Sequence, residues 1–168
     1  MGGSQLIYAE ILAGGKGTRM GNVNMPKQFL PLNNKPILIH TVEKFILHQE
    51  FEKILVICPK EWINHTKNIM DKYIGTNEKI VIVEGGADRN ESIMSGIRYI
   101  EETYGLSDDD YIVTHDSVRP FITYRIIQEN IEEVKKYKAV DTVIQAIDTI
   151  IESQDGETIS HIPYRNHM

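Results

Sequence analysis

Short β-branched runs alternate with helix-period segments from Ile7 to Ala146, and this alternation most constrains what the chain can fold into. Residues 7–12 are an apolar run closing on a glycine-rich loop. Residues 36–49 place Ile37, Leu38, Val42, Phe45 and Ile46 at helical spacing, with Pro36 suited to a first-turn position. Residues 53–58 form a second strand ended by Pro59, and residues 61–74 carry Ile63, Ile69, Met70 and Tyr73 on a second helix. A third strand, 79–83, runs into Gly85-Gly86. Residues 88–104 then read as a helix, with Asp88 as N-cap, Glu91 completing a capping box and Gly105 as the stop. Residues 111–115 and 140–146 read as further strands, separated by a helix over 123–137.

Strands alternating with helices of this length predict an α/β fold, a Rossmann-like, mostly parallel sheet with helices on both faces. Ligands of such sheets sit beyond the carboxyl ends of the strands. The loops there are the chemically rich ones: 13–21 after the first strand, 85–92 after the third and 116–120 after the fourth. Residues 149–153 and 157–162 flank Gln154-Asp155-Gly156, whose Asp-Gly pair predicts a tight turn. This hairpin, 149–162, is too poor in apolar residues to be core and reads as a projecting β-arm within one domain, 6–168. A sheet-edge hairpin and an arm gripping a second subunit are both compatible with it.

Charge narrows the partners. Lys and Arg total 18 against 24 Asp and Glu, a net charge of −6, and no segment supplies the basic stripe a nucleic-acid partner requires. A few local cations suffice for a triphosphate. No apolar run approaches the length that crosses a bilayer, and residues 1–5 lack the pattern of a signal peptide. No membrane partner and a cytoplasmic location are therefore expected. The lone Cys58 closes an apolar run and reads as a buried strand end. The six histidines show no metal-ligand spacing, so no protein-held metal site is expected; His115, beside Asp116, is the one to watch.

The loop Leu12-Ala13-Gly14-Gly15-Lys16-Gly17-Thr18-Arg19-Met20-Gly21 carries the strongest signal. Gly14, Gly15 and Gly17 let the backbone turn sharply and present successive amides to phosphate oxygens. It is neither a P-loop nor a dinucleotide fingerprint, because Gly-Lys-Ser/Thr is missing and Met20 stands where a third glycine belongs. Glycines alone would mark only a turn. Arg19 within the loop, and Pro26-Lys27-Gln28-Phe29 after it, add two cations beside the amides, as a phosphoryl centre gaining charge needs. Either cation alone would read as a solvated surface charge.

With these residues the chain resembles the cytidylyltransferases acting on polyol phosphates. Further motifs follow in order: Glu84-Gly85-Gly86-Ala87-Asp88-Arg89-Asn90-Glu91-Ser92, then Thr114-His115-Asp116-Ser117-Val118-Arg119-Pro120, then Asp148-Thr149 and Arg165. The family has two main branches, using ribitol 5-phosphate for teichoic acid precursors or methylerythritol 4-phosphate for isoprenoid precursors. The first loop and the 85–91 stretch are similar to the ribitol-phosphate branch. Sugar-1-phosphate uridylyl- and guanylyltransferases share the Gly-Gly-x-Gly-Thr-Arg loop, but Pro26-Lys27-Gln28-Phe29 argues against them.

The resemblance implies roles. Leu12, Ala13, Gly14, Gly15 and Gly17, with Gly85, Gly86, Ala87, Asp88, Arg89, Asn90, Glu91 and Ser92, would hold CTP, and Ser92 and backbone groups would read the cytosine. Asp116 and Ser117 would lie at the junction of ribose and acceptor. Arg19 and Lys27 would stabilise the transition state at the α-phosphate. Thr149 and Arg165, with Asp116, would position the polyol phosphate from the arm of a neighbouring subunit in a homodimer. Mg2+ would be carried chiefly by the CTP phosphates. Arg119 either pairs structurally with a carboxylate or serves the site. Family chains continue with a Thr-Pro-Gln segment and a later lysine that contacts the polyol phosphate, whereas this sequence ends at Asn166-His167-Met168. The C-terminal part of the family domain is thus expected to be missing, which keeps a catalytically silent CTP-binding or dimerisation module as an alternative.

Overall fold

In the computed structural model, residues 5–15 and 25–164 are described. The run Ile7–Leu12 forms β1, at the centre of a four-stranded sheet. Phe51–Cys58 forms β4, Ile80–Glu84 β5 and Tyr111–Asp116 β6. The order is β5-β4-β1-β6 and every pairing is parallel. The chain thus builds outward from β1 to β5, then returns to add β6 on β1's other side. That reversal opens a crevice at the carboxyl ends of β1 and β6, the place where such sheets bind ligands.

Alternation along β1 sorts the layers. Ile7, Ala9 and Ile11 join a core with helices α1 (Ile37–Ile46), α2 (Ile63–Tyr73) and α4 (Tyr124–Tyr137), through Leu38, Val42, Ile69, Ile127 and Ile131. Tyr8 faces the other way, packing with Leu55, Ile57 and Ile100 of helix α3 (Arg89–Tyr104). Helices therefore cover both faces, as the alternation predicts. Cys58 is fully buried, and Thr66 Oγ1 donates to its sulfur at 3.5 Å.

Two short strands, β2 (Pro31–Leu32) and β3 (Lys35–Pro36), pair antiparallel around Asn33 and Asn34. Both asparagines have positive φ, 51° and 69°, which suits a tight hairpin turn. The periodicity gives no hint of this hairpin.

The region after α4 departs from expectation. Residues 140–146 form no strand, and Val143 and Ile144 remain 78% and 89% exposed. Strand propensity yields a strand only where a partner completes the ladder, and no described residue pairs with this segment. The expected arm is reduced to one antiparallel bridge, Glu152 with His161. Its turn is nonetheless organised: Asp155 Oδ1 accepts from the backbone N–H groups of Glu157 and Thr158, and Gly156 takes φ +77°. Among the described residues, no helix is long and apolar enough to cross a membrane.

Candidate active site

The first glycine loop leaves β1 under tight backbone control. Ala13 N–H donates to Ile57 O at 2.8 Å, extending the ladder one residue past the strand. Gln28, buried within the short 3₁₀ turn Lys27–Phe29, donates from Nε2 to Ala13 O at 2.6 Å. Phe29 anchors that turn against the rings of Trp62 and His65, at centroid distances of 5.0 and 4.7 Å. Two buried side chains thus fix the half-buried Lys27 beside Gly14 and Gly15. Lys27 has no ion-pair partner among the described residues.

The second wall is the turn from β5 into α3. Asp88 caps the helix by accepting from Glu91 N–H at 2.8 Å, while Glu91 Oε2 accepts from Ala87 N–H at 2.8 Å. This is the anticipated capping box with its return bond one residue earlier. Ser92 is buried; its hydroxyl donates to Asp88 O at 2.7 Å and accepts from Gly86 N–H at 3.2 Å. A Cβ on Gly86 would lie 2.3 Å from Glu91 Cβ and 2.8 Å from its backbone carbon, so only glycine fits. Gly85 is nearly as tight, because a Cβ there would meet Ser92 Oγ at 3.0 Å.

The third wall follows β6. Ser117 N–H donates to Leu12 O at 3.0 Å, and Thr41 Oγ1 donates to Ser117 O at 2.7 Å, so α1 and β1 both hold this turn. The Asp116 carboxylate pairs with Arg89 and, at 2.9 Å, with Arg119 Nε. Partial burial pushes this carboxyl up, but hydrogen bonds and charge from the two arginines outweigh it and hold it below its ordinary value. Burial lowers His115, whose Nε2 lies 3.1 Å from Arg119 O.

These walls enclose a cavity of about 470 Å³ lined by Leu12, Gly14, Gly15, Lys27, Gly86, Ala87, Asp88, Arg89, Ser92, Asp116 and Ser117, with Gln28 and Val118. A larger groove of about 740 Å³ runs along β6 and α4 between mostly apolar side chains. It shares Arg89, Asp116 and Val118 with the smaller cavity but no loop glycine lines it, so the smaller cavity is the one walled by the glycine loops. Ala13, Gly85, Asn90 and Glu91 support its walls without lining it. Thr149 is exposed on the segment after α4 and does not line it either. Gly17, Arg19 and Arg165 lie outside the described residues.

Two residues were assigned no role from sequence. Gln28 was visible only as part of a motif, and its bond to Ala13 shows why a buried amide belongs there. Glu10 is fully buried in β1, neither carboxylate oxygen has a hydrogen-bond partner among the described residues, and burial pushes it up to about 8. A Cβ on Gly96 of α3 would lie 2.2 Å from Glu10 Oε1. A lone acid inside an apolar strand was the available signal.

Comparison with known proteins agrees with this geometry. The family model of IspD, 2-C-methyl-D-erythritol 4-phosphate cytidylyltransferase, matches residues 7–168. A ribitol-5-phosphate cytidylyltransferase from Lactiplantibacillus plantarum is 61% identical over 97% of this chain and 69% of its own length. A solved 4-diphosphocytidyl-2C-methyl-D-erythritol synthase from Anaerococcus prevotii superposes with a TM-score of 0.76 at 26% identity, over 97% of this chain and 65% of that one. The Francisella tularensis 2-C-methyl-D-erythritol 4-phosphate cytidylyltransferase gives 0.72 at 26% identity, over 98% of this chain and 68% of that one. This chain therefore spans about two thirds of the length of the relatives it matches. With its parallel sheet and glycine-walled crevice, it belongs to the IspD-type cytidylyltransferase family.

Proposed function

We propose that this chain transfers CMP from CTP to D-ribitol 5-phosphate, forming CDP-ribitol and pyrophosphate for teichoic acid synthesis in the cytoplasm. The observation that carries the acceptor is the 61% identity to the Lactiplantibacillus plantarum relative over nearly the whole chain. The site supports the transfer. Cytosine would sit against the Ser92 wall, where fixed backbone groups can distinguish its amino group from the carbonyl of uracil. The triphosphate would lie over Gly14 and Gly15, beside Lys27 and Arg19.

The acceptor phosphate attacks the α-phosphorus and pyrophosphate leaves. The attacking oxygen is already anionic, so no general base is needed. Holding two anions in line and neutralising the charge that develops then becomes the main task. Lys27, held by its buried neighbours Gln28 and Phe29, is placed for that neutralisation. No group of three metal-ligating side chains occurs among the described residues, and Asp116 is already engaged by two arginines. Magnesium would enter as part of the nucleotide substrate, held by its phosphates.

The acceptor side is assigned to Asp116, Thr149 and Arg165, the last two reaching a neighbouring subunit's crevice in a homodimer. Exposed Val143, Ile144, Ile159 and Ile162 supply apolar surface for such a contact. The second reading, methylerythritol 4-phosphate as acceptor, is favoured by the matching family model. Pyrophosphate release, measured with CTP or UTP and with either polyol phosphate, separates the readings. Release only with CTP and ribitol 5-phosphate is expected. Preference for methylerythritol 4-phosphate would overturn the acceptor, and CTP binding with no release from any pair would favour the silent module.

A further inference from the structure

Arg89 and Asp116 come from opposite sides of the crevice. Arg89 opens α3, which follows β5 at one edge of the sheet, and Asp116 ends β6 at the other. Their ion pair is the only one among the described residues that joins these two walls. Arg119 holds the other carboxylate oxygen, but from three residues along the same turn, where its own N–H donates to Asp116 O at 3.1 Å. Arg119 therefore shapes the turn locally, and among the described residues Arg89 alone ties it by an ion pair to the 85–92 wall.

We propose that Arg89 is a positioning residue that acts through Asp116, fixing where its carboxylate points and locking the nucleotide wall to the acceptor wall. The proposal rests on the cytidylyl-transfer reading and assigns Arg89 a different task from gripping CTP. Its guanidinium spends its charge on Asp116, whose oxygens are both occupied by arginines. The Arg89 side chain is 56% exposed and that of Asp116 27%, so the pair adds little to stability. A role in geometry explains it better. Among the described residues, the other charged or titratable groups around Asp116 are Arg119, His115, Asp88, Lys27 and Asp141.

The test compares Arg89→Gln and Arg89→Lys with the parent chain. In Arg89→Gln the Asp116 carboxyl titration, followed by carbon NMR, should move up, because one of the two arginines that lower it is gone. The acid limb of kcat/KM for the acceptor should move with it, while CTP affinity changes less than threefold. Arg89→Lys should restore part of both shifts. In an Asp116→Asn background, Arg89→Gln should add no further loss. An unmoved carboxyl titration, or a fall in CTP affinity matching the fall in turnover, would overturn the proposal. If the parent chain releases no pyrophosphate, the transfer reading fails, and the carboxyl titration alone still decides whether Arg89 governs Asp116.

Discussion

Around Ser92 the side chains and backbone of residues 85–92 close on one another, and Gly86 leaves no room for a Cβ while Gly85 leaves little. Past α4, residues 140–151 run almost wholly exposed, and the two sides of the arm meet at the Glu152–His161 bridge and the adjoining Ser160 hydrogen bonds to Glu152 O. Both stretches carry family motifs. The difference lies in what fixes them: the first is settled by contacts inside this chain, whereas the second offers apolar surface without a partner strand. The crevice wall around Ser92 is preorganised by these contacts, whereas the described part of the arm has no comparable closure.

The comparison is best broken at Lys27. Replacing it with alanine should lower kcat by roughly 10²–10³, the usual cost of losing one donor to a developing charge. CTP affinity should change much less, because the glycine loops stay intact. Equal losses in stopped-flow turnover and calorimetric affinity would place Lys27 in ground-state binding.

Gly96→Ala probes the floor beneath the nucleotide wall. The new methyl would meet Glu10 and Ile57 Cδ1, the latter at 2.7 Å, and both residues are fully buried. A loss of about 1–3 kcal/mol in urea unfolding is expected, as for other overpacked cores. An unchanged midpoint would mean that α3 is free to lift.

Glu10 gives a pH signature. Its carboxyl rises from an ordinary value near 4.5 to about 8 on folding, so folding takes up a proton between those pH values. The stability contribution is complete below 4.5 and is lost as pH climbs to about 8, by up to ~1.4 kcal/mol per pH unit. Glu10→Gln cannot titrate and should flatten this slope. Parallel slopes for parent and variant in urea titrations at pH 5.5, 6.5 and 7.5 would show that Glu10 is ionised in the fold.

The smallest effect belongs to the exposed segment. Val143→Ser with Ile144→Ser should shift the unfolding midpoint by less than about 0.5 kcal/mol, as exposed positions do. The same pair should weaken self-association in sedimentation. A large loss of stability would show that these residues pack within their own subunit.

The parallel sheet and nucleotide wall were legible because their signals are local. β-Branched runs marked β1, β4, β5 and β6, and Asp88 with Glu91 announced the start of α3. Gly86 was visible only as part of a motif, and the Glu91 contact that requires a glycine there had no sequence signal. The β2–β3 hairpin escaped because two-residue strands fall below any periodicity window. Residues 140–146 misled for the opposite reason: their composition suits a strand, but pairing is a property of the neighbours. Glu10 left one signal, a lone acid inside an apolar strand, whereas Gln28's bond to Ala13 is a tertiary fact without trace in spacing.

Calorimetry with CTP and UTP on the unmodified chain tests the central claim most directly, since it asks whether the glycine-walled crevice binds and selects the nucleotide proposed for it. Saturable binding of CTP, at least tenfold tighter than UTP and weakened by Gly86→Ala, is the predicted result. No binding of either nucleotide, or equal affinity for both, would contradict it.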